Sequence, residues 1–563
     1  MAKWMEIRKG ADFQAISKQF HITPFTARLI RNKDMTAEEE IQEYLYGGLE
    51  NLHPAFLMKG IPEAVCLLQE KIRTGASIRI IGDYDIDGVC ATYILLKGLR
   101  AVGARVDTDI PDRKKDGYGL NIELVQRALD AGVDTIVTCD NGIAAPAEIA
   151  FAKEQGMTVI VTDHHELQEI LPPADVIVNP RQPDCSYPFK KLCGAAVAWK
   201  LVQELWEQSG YPKEMAYGEL LMFAGFATVG DVMDLVGENR ILVKEALKLL
   251  RGTGHPGMSA LIEVNEIPRD RLSAFHIGFV LGPCINASGR LDTAKRALEL
   301  LDTEIPMLAK ERARELKDLN DDRKELTEKG VEEAIELIEA GGWKRDRVLV
   351  LYLPDCHESL AGIIAGRIRE RYYRPVFVLT RGEDAVKGSG RSIETYSMFD
   401  EMTKCKELFI KYGGHPMAAG LSIPEEKVDE FRSRMNEMCT LTEQELTEII
   451  HIDMALPFSY VSETLVEELE LLEPFGKGNT KPVFAARNVQ ILESRVLGRN
   501  GNVLRMKMRD ESGAVLEGIL FHDHMNEVLI DLQKKPIMHI LYYPEINEFR
   551  GKRNLQLRVL NYS

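Results

Sequence analysis

Three runs of mostly β-branched residues, 77–81, 135–138 and 158–161, each stop at side chains that bind divalent cations. Asp83-Tyr84-Asp85-Ile86-Asp87-Gly88 follows the first, Asp140-Asn141-Gly142 the second and Asp163-His164-His165 the third. A stretch of helical pattern comes after each, so the three read as successive βα units of a parallel sheet. Strands of such a sheet end along one edge, where ligands bind. Residues distant in sequence then converge on one acidic pocket with histidines at its rim. Like charges a few ångströms apart in a partly dry cleft repel strongly, and divalent cations are the natural counter-charge. A metal-dependent phosphate chemistry is the first expectation.

The hexapeptide at 83–88 matches the start of an EF-hand loop, but the twelfth position is Ile94 where that loop needs a bidentate glutamate. A strand also precedes it, so calcium binding of that kind is rejected. Mixed carboxylate and imidazole donors suit Mn²⁺ or Mg²⁺; a structural zinc site would call for thiolates or a closed four-ligand set. Adjacent histidines point in different directions, so one can ligate metal while the other faces substrate. Asp231 ends the apolar stretch 220–226, and both a helix cap and a further ligand are open to it.

A chain of 563 residues should hold several domains, because single cores stop growing at roughly 250–300 residues. No apolar run is long enough to span a bilayer, and the first residues lack an apolar signal segment. Nine cysteines stand singly, with no CxxC pair, the pattern of reduced thiols in a cytoplasmic protein. The net charge of −17 argues against non-specific coating of nucleic acid; local basic tracks still permit a nucleic-acid enzyme.

The expected organisation is an N-terminal helical segment (1–70), a doubly wound parallel-sheet α/β domain (71–305), a long charged connecting helix (306–342), a smaller α/β domain (343–445) and an all-β barrel (446–563). The connecting helix reads as a solvated bridge. The barrel reading rests on short alternating strands with turns at 499–501 and 511–513. In 503–509, Arg505, Lys507 and Arg509 alternate with Met506 and Met508, which places the three cations on one face. With Phe521, Tyr542, Tyr543 and Phe549 nearby, that face fits backbone tracking and base stacking on single strands.

Together these motifs resemble the DHH phosphoesterase superfamily, and within it the RecJ-type exonucleases. The resemblance runs from about residue 75 to the C-terminus. It includes Gly282-Pro283-Cys284-Ile285-Asn286-Ala287-Ser288-Gly289-Arg290-Leu291, with a cysteine where members usually carry a basic residue. It also takes in Lys387-Gly388-Ser389-Gly390-Arg391-Ser392 and Gly413-Gly414-His415-Pro416-Met417-Ala418-Ala419-Gly420 of a DHHA1 domain, and a C-terminal OB-fold. Cys356-His357-Glu358 stands where the family has a tryptophan-histidine stretch, without the tryptophan.

The resemblance implies a 5′→3′ exonuclease that degrades single-stranded DNA to mononucleotides in repair and recombination. The alternatives are a phosphodiesterase on short RNA or cyclic dinucleotides, and a non-catalytic replication scaffold. It implies two ions, Mn²⁺ or Mg²⁺, held by Asp85, Asp87, Asp140, His164 and Asp231, with Asp140 bridging and Asp83 a ligand or anchor. His165, Asp163 and Arg290 are the implied catalytic groups, His165 acting on the scissile phosphate and Arg290 on a non-bridging oxygen. Arg113, Tyr118, Asn286, Ser389, Arg391 and His415 are implied for substrate binding, with Arg113, Ser389 and Arg391 taking a 5′-phosphate. The implied partners are single-stranded DNA, a helicase and a single-strand-binding protein. A monomer without membrane attachment is expected.

Overall fold

The computed structural model describes residues 2–113, 115–117, 119–498, 501–522, 525–535, 537–549 and 552–563, with the side chains of Phe549 and Lys552 outside it. Two compact units emerge, one formed by 1–51, 235–237 and 448–563, the other by 52–234 and 238–447.

The chain opens with the strand β1 (Lys3–Glu6) and three short helices, Phe13–Phe20, Pro24–Asn32 and Glu38–Tyr46. The 1–70 segment is therefore neither wholly helical nor one piece. Its first 51 residues belong with the C-terminal barrel, and the helix Ile61–Thr74 belongs with the α/β unit. The reason is packing: Phe20, Leu29, Ile30 and Leu45 lie in one buried cluster with Phe484, Met506 and Tyr542.

The larger unit is built on a five-stranded sheet of β2 (Ser77–Ile81), β3 (Arg105–Asp109), β4 (Thr135–Cys139), β5 (Thr158–Thr162) and β6 (Val176–Val178). The order is β3-β2-β4-β5-β6 and every pairing is parallel, the doubly wound architecture expected. Ile78, Ile80, Ile136, Val137, Val159, Ile160 and Val161 are buried, as strands covered on both faces by helices must be. The chain leaves β2 for β3 on one side and passes to β4 on the other, so the topological switch lies between β2 and β4. Ligands bind outside the strand ends at such a point, and the strand ends there carry Asp83 and Asp140.

The helix Pro306–Ala340 follows. It is not a fully solvated bridge: Ala309, Ala313, Leu316, Asn320, Thr327, Gly330, Ala334 and Ile338 form a buried stripe. Small residues at three- and four-residue spacing let neighbouring helices approach closely beneath a charged outer face. Next comes a mixed sheet of β7 (Leu349–Tyr352), β8 (Val376–Arg381), β9 (Val386–Arg391), β10 (Lys411–His415) and β11 (Ala418–Ile423). Its order is β10-β11-β9-β8-β7, with only β7 and β8 parallel.

In the other unit β12 (Ile449–Ile452) pairs in parallel with β1, and β13 (Met454–Ala455) leads into a barrel of β14 (Phe484–Leu497), β15 (Val503–Arg509), β16 (Val515–Phe521), β17 (Ile537–Phe549) and β18 (Lys552–Tyr562). Pairing of β14 with both β15 and β17 closes it. The closed barrel is the OB-like fold expected, and the helix Met525–Lys534 joins β16 to β17. No helix among the described residues is long and apolar enough to cross a membrane, and the nine cysteines are free thiols.

Candidate metal centre

Two of the acidic side chains at the sheet edge are held by amides at helix N-termini. Asp85 caps the helix Ile86–Ala101, its Oδ1 accepting the amides of Asp87 (2.9 Å) and Gly88 (3.0 Å). Asp87 reaches away from that helix to the start of another, Gly194–Gln208, accepting the amides of Gly194 (2.6 Å) and Ala195 (2.8 Å). A helix N-terminus favours an anion there. Asn141 ties β2 to β4 by donating to the carbonyls of Ile81 and Cys139. Asp140 sits at φ 60°, a left-handed conformation uncommon for a residue with a Cβ and met most often at functional sites.

His164 turns Nε2 into the cluster, 3.0 Å from Asp140 Oδ1, 3.6 Å from Asp87 Oδ2 and 3.8 Å from Asp231 Oδ2. Burial holds its pKa below the ordinary histidine value, which leaves the neutral imidazole that ligates metals. His165 stands at the open side, its side chain 44% exposed, with Nδ1 2.7 Å from Asp163 Oδ1. Burial works against its charge, but the hydrogen bond and charge of Asp163 outweigh that and raise it to about 9.

Asp163 was expected among the catalytic groups, and the geometry corrects this. It is 1% exposed and accepts the amides of Ile143 (2.9 Å), His164 (2.7 Å) and His165 (3.1 Å) as well as the His165 ring. It orients both histidines and has no face open to substrate.

Three sets of ligand atoms each lie within 4.8 Å of one another: Asp83, Asp85 and Asp140; Asp87, His164 and Asp231; Asp140, His164 and His165. Asp140 belongs to two of them. Burial first, and the neighbouring carboxylates next, push Asp140 well up, Asp85 up and Asp83 to about 8. Asp83 Oδ2 is buried with no hydrogen-bond partner, as is His164 Nδ1. An unsatisfied buried oxygen amid mutually repelling carboxylates fits hard divalent cations, and the donor set matches Mn²⁺ or Mg²⁺ as expected.

The phosphate side adjoins this cluster. Gly289 is required by contact: a Cβ there would lie 2.3 Å from the Tyr84 carbonyl oxygen. Asn286, expected to bind substrate, accepts the Ile86 amide at its Oδ1 (2.8 Å) and so braces the Asp85–Asp87 loop. Arg290 donates Nη1 to the Ser359 carbonyl (2.8 Å), and burial first, then Arg113 and Arg323, lower its pKa to about 10. The Arg113 guanidinium lies 5.0 Å from the Tyr84 ring centre. Arg113 and Ser389 line one cavity of about 400 Å³, with Ser359, Lys387 and Lys411. Arg391 and His415 are not among the residues that line it. Arg391 donates to the Gly390 carbonyl and packs so closely on Gly362 that a Cβ there would meet its Nη2 at 2.8 Å; His415 is exposed at the end of β10. Tyr118 and Lys114 lie outside the described residues.

Sequence reasoning missed Gly194 and Ala195, which clamp Asp87, together with Lys387 and Lys411. The run of small residues at 193–196 was the available signal for the first pair.

In the barrel, Arg505, Lys507 and Arg509 are exposed while Leu504, Met506 and Met508 are buried, the alternation read from sequence. The face is not purely cationic, because Arg505 makes a two-pronged pair with Glu517 on β16 (2.7 and 2.8 Å). Tyr542 and Tyr543 are core residues, 0% and 4% exposed, so they stack on no ligand. Phe521 is exposed, 4.9 Å below the Arg558 guanidinium, and the Phe549 side chain is outside the description. If this face tracks a strand, exchanging Lys507 and Arg509 for glutamine should lower the slope of log affinity for single-stranded DNA against log salt by about one to two. Binding measured across a salt series checks this, and an unchanged slope removes the face from the binding path.

Family models match the chain in three places: the DHH family N-terminal domain at 77–225, the DHHA1 domain at 345–440 and the RecJ OB domain at 452–561. The single-stranded-DNA-specific exonuclease RecJ of Bacillus subtilis is 34% identical over 99% of this chain and 70% of that protein. The Escherichia coli protein of the same name is 34% identical over 99% of this chain and 98% of its own. The crystal structure of RecJ in complex with Mn²⁺ from Thermus thermophilus superposes with a TM-score of 0.82 at 29% identity, covering 100% of this chain and 79% of that one. With these matches and a sheet edge that gathers the motif residues into one cluster, the chain belongs to the RecJ family of DHH–DHHA1 proteins.

Proposed function

We propose that this chain is a divalent-cation-dependent 5′→3′ exonuclease that releases 5′-mononucleotides from single-stranded DNA, acting in the cytoplasm in repair and recombination. The observation that carries the reading is Asp140, shared by two ligand sets at the switch point of a parallel sheet. The names of the relatives and the Mn²⁺ in the Thermus thermophilus structure support it.

Asp85, Asp87, Asp140, His164 and Asp231 would hold two Mn²⁺ or Mg²⁺ ions, with Asp83 behind Asp85. When bound, such a pair supplies hydroxide from water at neutral pH and balances charge on the leaving oxygen. The chain's own groups do the positioning. Asp163 fixes His165 through Nδ1, which leaves Nε2 as the nitrogen for the scissile phosphate or the departing 3′-oxygen. Arg290, held by Ser359, presents its remaining N–H groups to a non-bridging oxygen, for which a planar guanidinium is suited. Arg113 and Ser389 take the 5′-phosphate, so that a terminus and not an internal segment is seated. A helicase that unwinds duplex and a single-strand-binding protein are the partners such a substrate calls for.

The test is purified protein on end-labelled single- and double-stranded DNA and RNA, with Mn²⁺ and with a chelator. Mononucleotides from single-stranded DNA, lost on chelation, are expected. Equal cleavage of duplex, or activity that survives the chelator, would refute the reading. Millimolar Mn²⁺ should also raise Tm, because an ion bound only to the folded state stabilises it by mass action.

A further inference from the structure

The cavity beside Arg113 is larger than one phosphate requires, and its floor is bare. Three adjacent strands align Ser389 on β9 with Gly420 on β11 and Gly413 on β10, and the next row aligns Lys387, Ser422 and Lys411. All six residues line the cavity. Glycine weakens a strand interior and is kept where a backbone needs an unusual conformation or something approaches closely. Neither glycine has positive φ. A Cβ on Gly413 would meet nothing within 4 Å, and one on Gly420 only a carbonyl oxygen at 3.9 Å. Among the described residues, no atom fills the space above them. Beyond this bare row stand two ammonium groups, with Arg113 also in the wall and, as the one carboxylate among the described lining residues, Glu358, bound to Lys387 at 3.0 Å. The two rows are two residues apart along each strand, about 6.6 Å.

We infer that this cavity seats a 5′-terminal oligophosphate: the phosphate nearest the sugar at Ser389 and Arg113, the outer phosphates over the glycine floor, met by Lys387, Lys411 and the Ser422 hydroxyl. The inference rests on the exonuclease reading above and extends it to the class of strand end accepted. The chemistry is unchanged. Water's oxygen joins the scissile phosphorus, the bond from that phosphorus to the 3′-oxygen of the first nucleotide breaks, and the 3′-oxygen gains a proton. The first product is then a nucleoside 5′-triphosphate, and the shortened strand carries an ordinary 5′-monophosphate. Glu358 opposes the outer phosphates and is displaced from Lys387 when they bind.

The experiment compares single strands of one sequence bearing 5′-monophosphate or 5′-triphosphate, with the released nucleotides separated by chromatography. Wild-type protein is expected to release nucleoside triphosphate from the second substrate, with kcat/KM no lower than for the monophosphate. In the Lys387→Ala/Lys411→Ala double variant the triphosphate-to-monophosphate ratio of kcat/KM should fall about tenfold or more, two charge-assisted contacts being lost. In Glu358→Gln the ratio should rise. A triphosphate end that resists wild type while the monophosphate end is degraded overturns the inference and leaves the exonuclease reading intact, as does a ratio insensitive to the double variant. Failure to degrade either strand would instead overturn the exonuclease reading.

Discussion

Exchanging Asp140 for asparagine should lower nucleotide release from single-stranded DNA by about a thousandfold or more, the scale on which preorganised charge at a reacting phosphate matters. In a chelator the same variant should melt no lower than wild type. The two effects share one cause. Asp140 belongs to two ligand sets, so its loss disables both, and without cations it is a buried charge among like charges whose pKa burial and Asp87 push up. Removing that charge relieves repulsion in the metal-free protein. Asparagine tolerates the left-handed backbone that residue 140 adopts at φ 60°, so the main chain is undisturbed. Thermal melts with and without Mn²⁺ separate the possibilities. The Mn²⁺-induced rise in Tm should shrink sharply in the variant. A melt in chelator well below wild type would mean that Asp140 is structural, and residual activity above a few per cent would dissolve the shared-ligand assignment.

Gly194→Ala should cost about a hundredfold or more in kcat with little change in affinity for DNA, although this residue touches neither substrate nor any expected ion. A Cβ at 194 would lie 2.6 Å from Asp140 Cβ, 2.8 Å from its Oδ1 and 2.9 Å from its Cα. Because backbone is among these neighbours, no rotamer change relieves the clash. Either Asp140 moves or the start of the helix Gly194–Gln208 withdraws, and with it the amides that hold Asp87. Displacement of a reacting geometry by about 1 Å is enough for a loss of this size. Gly366→Ala is the matched control: it lies within the helix Ala361–Tyr372 with nothing within 4 Å of its added Cβ. It should keep full activity and gain about 0.5–1 kcal/mol of stability. Activity and DNA binding measured on both variants decide the matter, and a Gly194→Ala protein with wild-type kcat would show that the site tolerates movement of Asp140.

Both experiments probe what lay at different depths of legibility. The ligands could be read because local patterning marks a strand and its end. The runs at 77–81, 135–138 and 158–161 bury on both faces, and the residue types just beyond them announce the chemistry. The alternation of Met506 and Met508 with Arg505, Lys507 and Arg509 was legible for the same reason, since a strand's side chains alternate whatever it packs against. Tyr542 and Tyr543 were not. Nothing near them in sequence shows that the N-terminal helices and the barrel share a core that encloses both rings.

The sequence alone determined the parallel sheet, the carboxylates and histidines at its edge, and the outward row of cations on the barrel, because each follows from a repeat of two or a boundary within a few residues. Only the tertiary structure decided which groups serve which neighbour. Asp163 turns inward to two histidines, Asn286 braces a loop, Arg391 packs on a helix, and Gly194 makes room for Asp140. Those roles depend on distances between segments far apart in the chain, and such distances are set by how helices and sheets pack, which no local periodicity records.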